Sequence, residues 1–588
     1  MGATYSKTIG ATISKICWRE SSVAREFAAD RAEQQLQPQT PLPPTTDTNV
    51  VDISSPSEPV VLSAPVLSSN SDVVYIDSIS RPIRLASSRR TSVRSSVVIQ
   101  GETDASSFND DDPLDLCSTT MVSLRPSEPE PDTSSEGSLS VSTRIEYSAL
   151  PSRRTQDVYG LITVHAGPCP RASDGETEER QPMDIVVVID VSGSMQGDKI
   201  RQVQDATRFI VEQADQKDRL SLVAFNSNAT RALRLRKMSA EGKNEAHVAT
   251  LRLAAGGGTS IAAGLDMAVS VIERRRQRNK ISSILLLTDG QDGSTRNRLP
   301  DLVQRAAQAN CSIYAFGFGR DHDAALLSEI AEQAHAPFTY IQETERIREA
   351  FAGAVGGLSS IVAQNVQLTL KCHVPLKHIH TNFPVQHTTH EAVVTIPDMF
   401  ALERRDILVE LAVPASGSES IQIALLEASS RYNDLLGNRI VRTEPVVMEA
   451  QCSEEPQPED EPDDEVSAQR ERVEVMRALQ DAAQASDEGN FDQALHVIEA
   501  CDTRMKSAKY RSPANDVLVQ ELEDARNQMR CRASWEQGGR AEIRDSFQMH
   551  SMQRCTTSIP SERSRKSTRT MYCSLTQDRF IRRSSGTL

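Results

Sequence analysis

Three polar segments of the chain carry hydroxyl and carboxylate side chains that could hold a metal ion. Two of them directly follow apolar runs typical of buried strands, 184–190 and 282–288, and the third follows three glycines, 256–258. Loops at the carboxyl ends of parallel strands meet at one edge of an open α/β sheet. Hydroxyl and carboxylate oxygens are hard ligands, which suit Mg²⁺ best and Mn²⁺ or Ca²⁺ as alternatives. The pattern predicts a divalent-cation site at five residues: Asp190, Ser192, Ser194, Thr259 and Asp289.

These side chains need not fill all positions around an octahedral ion. An open position would let an acidic residue of a partner protein complete the coordination shell, so that the metal becomes part of the interface. Taken alone, the Asp-x-Ser-x-Ser segment could equally be an ordinary helix cap and turn. The order of the three segments on successive strand ends favours the metal site.

The elements that must position these residues follow from the spacing of apolar residues. Strand and helix patterns alternate from about 157 to 360, which predicts a doubly wound parallel sheet. Period-two patterns then indicate an antiparallel β module. The predicted units are a disordered Ser/Thr/Pro-rich tail at 1–150, an α/β domain with a leading strand at 157–360, a β-rich module at 361–450, an acidic linker at 451–466, a helical segment at 467–535 and a basic disordered tail at 536–588.

Composition narrows the class of protein. The net charge of −16 argues against nucleic-acid binding, because phosphate recognition needs a basic face. The aromatic content of 4% is low for a chain of this length, which favours disordered stretches. No apolar run approaches the ~18 residues of a membrane helix. The ten cysteines are scattered without Cys-x-x-Cys spacing, so we expect an intracellular protein with free thiols.

The five predicted ligands match the metal-ion-dependent adhesion site of von Willebrand factor A domains. That resemblance implies a Rossmann-like fold, direct metal ligation by Ser192 and Ser194, ligation by Thr259 in some states, and contact of Asp190 and Asp289 with the metal largely through water. It also implies protein binding rather than catalysis.

Further stretches resemble an intracellular subgroup that includes the plant RING-type ubiquitin ligases of the von Willebrand A class. They are Gly290-Gln291-Asp292, the run 315–319 and the glycine-serine run 356–360, with a β-rich module after the A domain. The ligases' RING finger needs eight closely spaced Cys and His ligands. The first 150 residues hold only Cys17 and Cys117 and no histidine, so ligase activity is not implied.

The two ends of the chain carry candidate modification sites. Gly2, with Ser6 after it, fits the N-myristoylation pattern, and Cys17 is a candidate for palmitoylation as the second anchor that one myristoyl chain needs. Ser92 and Ser585 follow paired arginines, as in sites of basophilic kinases. Chance matches and simple solvated basic runs are the alternatives for these short motifs.

These observations together predict a non-enzymatic intracellular adaptor. It would bind an acidic partner protein through the metal and lie on the cytoplasmic face of a membrane through its lipid anchor. The alternative is the substrate-recognition subunit of a ubiquitin-ligase assembly whose catalytic RING lies on another chain, which rests on family likeness alone.

Overall fold

A computed structural model describes most of the chain. Gly2, Cys17 and Ser92 lie outside the described residues, as does most of the predicted tail at 1–150. The described ranges are 110–114, 137–169, 180–388, 390–415, 420–453, 461–507, 513–556 and 572–586.

An α/β unit occupies the middle of the described chain, and three strands precede it: β1 (Leu139–Ile145), β2 (Ala149–Pro151) and β3 (Gln156–Ala166). Its strands are β4 (Met183–Asp190), β5 (Arg219–Phe225), β6 (Ala229–Lys237), β7 (Ile281–Thr288), β8 (Ser312–Phe318) and β9 (Phe338–Ile341). Its helices are α1 (Asp198–Gln213), α2 (Ala240–Leu251), α3 (Ile261–Arg274), α4 (Leu299–Gln308), α5 (Ala324–Gln333) and α6 (Ile347–Leu358).

These strands form one six-stranded sheet in the order β6-β5-β4-β7-β8-β9. All neighbours are parallel except β5 and β6. Helices α1 and α6 pack on one face, and α3, α4 and α5 on the other. Every residue of β4 and β7 is therefore buried, which explains their unbroken apolar runs. The predicted doubly wound α/β fold is confirmed, with an antiparallel edge strand.

A β sandwich follows the α/β unit. Its strands are β10 (Ile361–Cys372), β11 (Leu376–His380), β12 (Val385–His387), β13 (Glu391–Phe400), β14 (Arg404–Val413), β15 (Ser420–Asp434), β16 (Arg439–Arg442) and β17 (Val446–Ser453). One sheet has the order β12-β13-β10-β15-β17-β2, with β16 beside β15, and the other has the order β1-β3-β14-β11. Apolar residues from both sheets form one core.

Two predictions about the segment before the α/β unit are wrong. Strand β3, expected as the leading strand of the α/β domain, pairs with β1 and β14 of the sandwich. Strand β1 lies within the stretch predicted to be disordered. Both faces of β3 are covered, since Ile162 faces the sandwich core and Leu161 packs with Val466 and Val473 of the next helical region. Because both of its faces are buried, β3 has a continuous apolar run like that of a strand in a parallel sheet.

The C-terminal part of the described chain is helical. Its helices are α7 (Asp464–Asp487), α8 (Phe491–Ser507), α9 (Pro513–Gln528), α10 (Arg532–Ser534), α11 (Arg540–Met552) and α12 (Leu575–Ser584). None of the helices in the described ranges is long and apolar enough to cross a membrane.

The prediction of a disordered tail at 536–588 is wrong for its described parts. Gln548 of α11 accepts a hydrogen bond from the Phe338 backbone and donates one to the Ser328 carbonyl, at 2.9 and 3.0 Å. Helix α12 lies against α6, where a Cβ atom at Gly356 would come within 3.0 Å of Phe580. Two described parts of this basic segment thus contact the folded domains, through Gln548 and Phe580.

Arg554 shows how such a basic residue is buried. Its side chain is 3% exposed and forms ion pairs with Glu403 at 2.9 Å and Asp398 at 2.5 Å. Its guanidinium lies 3.8 Å from the ring centre of Phe400. Burial would raise the pKa of Glu403, but Arg405 and Arg554 outweigh it and hold that pKa below the usual value. The cluster joins the residues after α11 to the β sandwich.

We expect Arg554→Ala to lower the free energy of unfolding by about 3–5 kcal/mol, because buried Asp398 and Glu403 each lose an ion pair and Glu403 keeps only Arg405. The control is Arg582→Ala. Arg582 is 62% exposed and pairs with Asp578 one helical turn away, so its loss should cost no more than about 0.5 kcal/mol. Urea unfolding of the full chain, followed by circular dichroism, measures both. Equal midpoints for the two variants would contradict this account.

Candidate metal centre

Asp190 forms the floor of the predicted site. It is the last residue of β4 and is fully buried. One carboxylate oxygen accepts a hydrogen bond from the Ser192 backbone N–H at 2.8 Å, and the other accepts one from the Thr288 hydroxyl at 2.5 Å. Burial raises the pKa of Asp190 above its usual value, although these hydrogen bonds oppose the shift. Both oxygens are thus held in fixed directions.

A chain of hydrogen bonds links the two serines to Asp289. The hydroxyls of Ser192 and Ser194 lie 3.0 Å apart, and the Ser194 hydroxyl donates to Asp289 Oδ1 at 2.7 Å. Lys199 of α1 forms an ion pair with the other oxygen, Oδ2. Asp289 is buried while Ser194 is exposed, so the charge lies below a hydroxyl that solvent reaches.

The glycine loop brings Thr259 to the same place. The Gly256 N–H donates to the Val191 carbonyl at 2.7 Å, and the Gly193 N–H donates to the Gly257 carbonyl at 2.9 Å, so the two loops are joined through their backbones. Gly257 has a φ of +91°, a conformation in which a side chain would be strained.

Gly290 marks the space between Thr259 and Asp190. A Cβ atom there would lie 3.0 Å from the Thr259 hydroxyl and 3.2 Å from Asp190 Oδ2. The missing Cβ leaves room between two oxygen ligands, where a larger residue would intrude.

Asp292 fixes the relative position of the second and third segments. Its Oδ2 accepts hydrogen bonds from the Ile261 backbone N–H at 2.9 Å and from the Thr295 hydroxyl at 2.6 Å. Thr295 in turn accepts one from the Ala262 N–H at 2.9 Å. The first turn of α3 is therefore capped from the loop after β7, since Ser260 makes no side-chain cap of its own.

The structure brings all five predicted ligands together. Hydrogen bonds connect Asp190 to the serine loop and the serines to Asp289, and the space at Gly290 connects Asp190 to Thr259. Two carboxylates and three hydroxyls are a hard oxygen set, so the residues present fit a divalent cation. In the described part of the chain, no group of three or more His, Cys, Asp or Glu side chains forms a rival cation site.

Lys199 contacts the ligand set through Asp289 and was not predicted from the sequence. It lies in the first turn of the helix that follows the serine loop, and its ammonium group lies 5.3 Å from the ring centre of Phe318. Its position so soon after the Asp-x-Ser-x-Ser segment was the available signal. The pairing with Asp289 reduces the negative charge of the site by one unit.

Ser585, the fourth predicted modification site, is described and exposed. It directly follows α12, and its hydroxyl donates to the Arg582 carbonyl at 3.0 Å and the Ile581 carbonyl at 3.3 Å. The disordered setting expected for it is wrong, because α12 packs on α6. Its phosphorylation stays a prediction.

The comparison with known families identifies the α/β unit. Residues 184–352 match the model of the von Willebrand factor type A domain. This span holds the sheet from β4 to β9 and all five predicted ligands. Residues 184–352 form a von Willebrand factor type A domain. We call it the A domain below.

Curated relatives share part of the chain. E3 ubiquitin-protein ligase WAV3 of Arabidopsis thaliana is 31% identical over 263 residues, which is 42% of this chain and 33% of WAV3. Probable E3 ubiquitin-protein ligase WAVH2 of the same plant is 28% identical over 315 residues, covering 50% of this chain and 41% of WAVH2. The matches thus span less than half the length of these relatives.

One solved structure resembles the chain beyond the A domain. It is a von Willebrand factor type A protein from Catenulispora acidiphila, with a TM-score of 0.55 and 16% sequence identity. The match covers 74% of this chain and all of that chain. At this identity the likeness shows the fold alone. Because the match covers 74% of this chain, it extends beyond the A domain at residues 184–352.

We expect Lys199→Gln to strengthen Mg²⁺ binding about tenfold, or about 1.4 kcal/mol, because a competing positive charge leaves Asp289. Titration calorimetry of the full chain with MgCl₂ measures the dissociation constant. Lys217→Gln is the matched control, since Lys217 is an exposed lysine of the A domain before β5, at the opposite sheet edge. Unchanged or weaker binding in Lys199→Gln would show that the ammonium group does not compete with the metal.

Proposed function

We propose that the chain is a protein-binding adaptor whose A domain holds its partner through a metal ion, with Mg²⁺ preferred. The observation that carries this proposal is the arrangement of exposed Ser194 above buried Asp289, joined by a 2.7 Å hydrogen bond. Charge lies at the bottom of the site and neutral hydroxyls line its mouth. A partner can therefore reach a bound cation without displacing the carboxylates.

Electrostatics favours a partner with an acidic residue only when the metal is present. Asp190 and Asp289 both lie in the site, and Lys199 neutralises one of the two charges. The remaining negative charge would repel a partner carboxylate, whereas a divalent cation reverses the sign of the site. Metal-dependent recognition follows from this balance.

Binding rather than catalysis is the proposed role of the hydroxyls. Ser194 donates to Asp289, and that carboxylate is already paired with Lys199. A serine nucleophile would need a base free to take its proton. The paired carboxylate is a poor base, so we propose no reaction at this site.

The double variant Ser192→Ala, Ser194→Ala should lose metal and partner binding together, because two of the three hydroxyl ligands are gone. Wild-type protein at about 100 times its dissociation constant for Mg²⁺ should gain about 2.7 kcal/mol of stability. The variant should gain none. Thermal unfolding with Mg²⁺ and with chelator measures the first effect, and affinity capture from cell extract under the same two conditions measures the second.

Ser239→Ala with Ser270→Ala is the control for capture, since Ser239 precedes α2 and Ser270 lies within α3, both in the A domain and outside the ligand set. Partners recovered with Mg²⁺, lost with chelator and lost in the Ser192/Ser194 variant would support the proposal. Equal recovery from that variant would refute it.

A second candidate function is substrate recognition in a ubiquitin-ligase assembly. The observation that favours it is the 31% identity to E3 ubiquitin-protein ligase WAV3 over 263 residues. In that case the partner held by the metal would be a protein to be ubiquitinated, and the catalytic RING would be supplied by another chain. The metal-dependent proteins from the capture experiment would then include such a ligase.

We further propose that the N-terminus tethers the protein to the cytoplasmic face of a membrane. The support is sequence alone: Gly2 follows Met1, Ser6 completes the myristoylation pattern, and Cys17 offers a second acylation site. Gly2→Ala should move the full chain from the membrane fraction to the supernatant. Ala3→Gly is the control. Equal fractionation of Gly2→Ala and wild type would refute the tether.

A further inference from the structure

An acidic segment from the N-terminal side of the chain lies on the outer edge of the A-domain sheet. The segment is Asp110–Leu114, and strand β6 is the edge strand. The Asp112 N–H donates to the Leu235 carbonyl at 3.0 Å, and the Lys237 N–H donates to the Asp112 carboxylate at 3.0 Å. One backbone hydrogen bond and one side-chain hydrogen bond thus join the segment to the edge strand.

Arginines of β6 hold the outer two aspartates. Arg231 binds both carboxylate oxygens of Asp110, at 2.7 and 3.1 Å. Arg236 binds both oxygens of Asp112, at 2.9 and 3.0 Å. Arg234 donates to the Asp110 carbonyl and lies 3.4 Å from the Asp112 carboxylate. The Arg231 pair uses two nitrogens, a planar geometry that selects a carboxylate by shape as well as by charge. Arg236 gives only its Nη1 to Asp112, because its other nitrogens bind Glu245.

The middle aspartate reaches a buried arginine. Arg219, at the start of β5, is fully buried, and its Nη1 lies 3.2 Å from Asp111 Oδ2 and 2.8 Å from the Asp112 carbonyl. The rest of its guanidinium is fixed by two 2.8 Å hydrogen bonds to Asp184. One end of a rigidly held cation therefore points at the segment, which covers it from solvent.

This surface is separate from the metal centre. Arg219 begins β5 and Asp184 lies at the start of β4, whereas Asp190 and Asp289 follow the carboxyl ends of β4 and β7. Arg219, and Arg236 beside Leu220, thus lie at the amino ends of β4 and β5, away from the metal centre. One ligand of this surface is present in the structure: the three consecutive aspartates of Asp110–Asp112 lie against four arginines, which are Arg219 and the three of β6.

We propose that β6 and Arg219 form a binding site for acidic, extended peptides, and that Asp110–Asp112 occupies it as the chain's own ligand. A partner segment with three consecutive acidic residues would take the same place. This second interaction site goes beyond the proposed function and does not depend on metal.

A partner peptide can displace Asp110–Asp112 because the contacts that bind this segment to β6 are local. Asp110 is 42% exposed, so solvent screens its pairing with Arg231. What favours the chain's own segment is its covalent attachment, which acts as an effective concentration of about millimolar order. A partner peptide must compete with that concentration in the wild-type chain. Once the internal aspartates are neutralised, the segment keeps its backbone contacts but loses its ion pairs, so it competes less.

The test uses a fluorescent peptide with the sequence of residues 108–116 and the full chain, with binding measured by anisotropy. The triple variant Asp110→Asn, Asp111→Asn, Asp112→Asn should bind the peptide at least ten times more tightly than wild type, because its own segment competes less for the site. Adding Arg231→Gln and Arg234→Gln should abolish that gain. Adding Arg201→Gln and Arg298→Gln, which remove two exposed A-domain arginines away from β6, should leave it intact.

Three results would overturn the proposal. They are equal affinity of wild type and the triple variant, a gain that survives loss of Arg231 and Arg234, and equally tight binding of a single-stranded oligonucleotide, which would make β6 a general anion surface. Hydrogen exchange on wild type gives a reading without any variant. Excess peptide should speed exchange in residues 110–114 while β6 stays protected, and unchanged exchange in that segment would also refute the idea.

Discussion

The candidate site depends on the parallel pairing of β4 with β7. Their register sets Ile189 beside Leu287, so Asp190 and Thr288 meet at the end of both strands and Asp289 follows at once. A shift of one residue would reverse the faces of these buried strands and separate the carboxylates. Burial of every side chain in both strands prevents that shift. The core packing thus positions the ligands, and the serine and glycine loops complete the set around them.

Segments outside the A domain contact both edges of its sheet. Helix α11 covers the β9 edge through Gln548, and Arg554 joins the residues after α11 to the sandwich through Glu403 and Asp398. Edge β9 is thereby closed by a helix, while edge β6 receives an acidic extended segment. Both edges of the sheet are therefore protected from unwanted strand pairing. At the β6 edge the protection comes from ion pairs that an acidic segment of another chain could also form.

The A domain could be predicted in detail because its signals are local. The apolar runs at β4 and β7, the hydroxyls and carboxylates after them, and the glycines before Thr259 each specify a piece of the fold. Lys199 was not predicted because a lysine in a first helical turn is usually solvated, and its closeness to the Asp-x-Ser-x-Ser segment is only a weak signal. Helix α2, with little apolar spacing to mark it, was likewise not predicted.

The residues alone were enough to predict the α/β class of the A domain, the set of oxygen ligands and the order in which they follow the strands. Three features required the folded structure: the sheet that β3 joins, the burial of Arg554, and the contact of Asp110–Asp112 with arginines more than a hundred residues away. They differ from the predicted features in the range of the interactions involved. Apolar periodicity is a property of residues that are close in the chain. Ion pairs, and the choice of the sheet that a strand joins, depend on distant residues that no local pattern identifies.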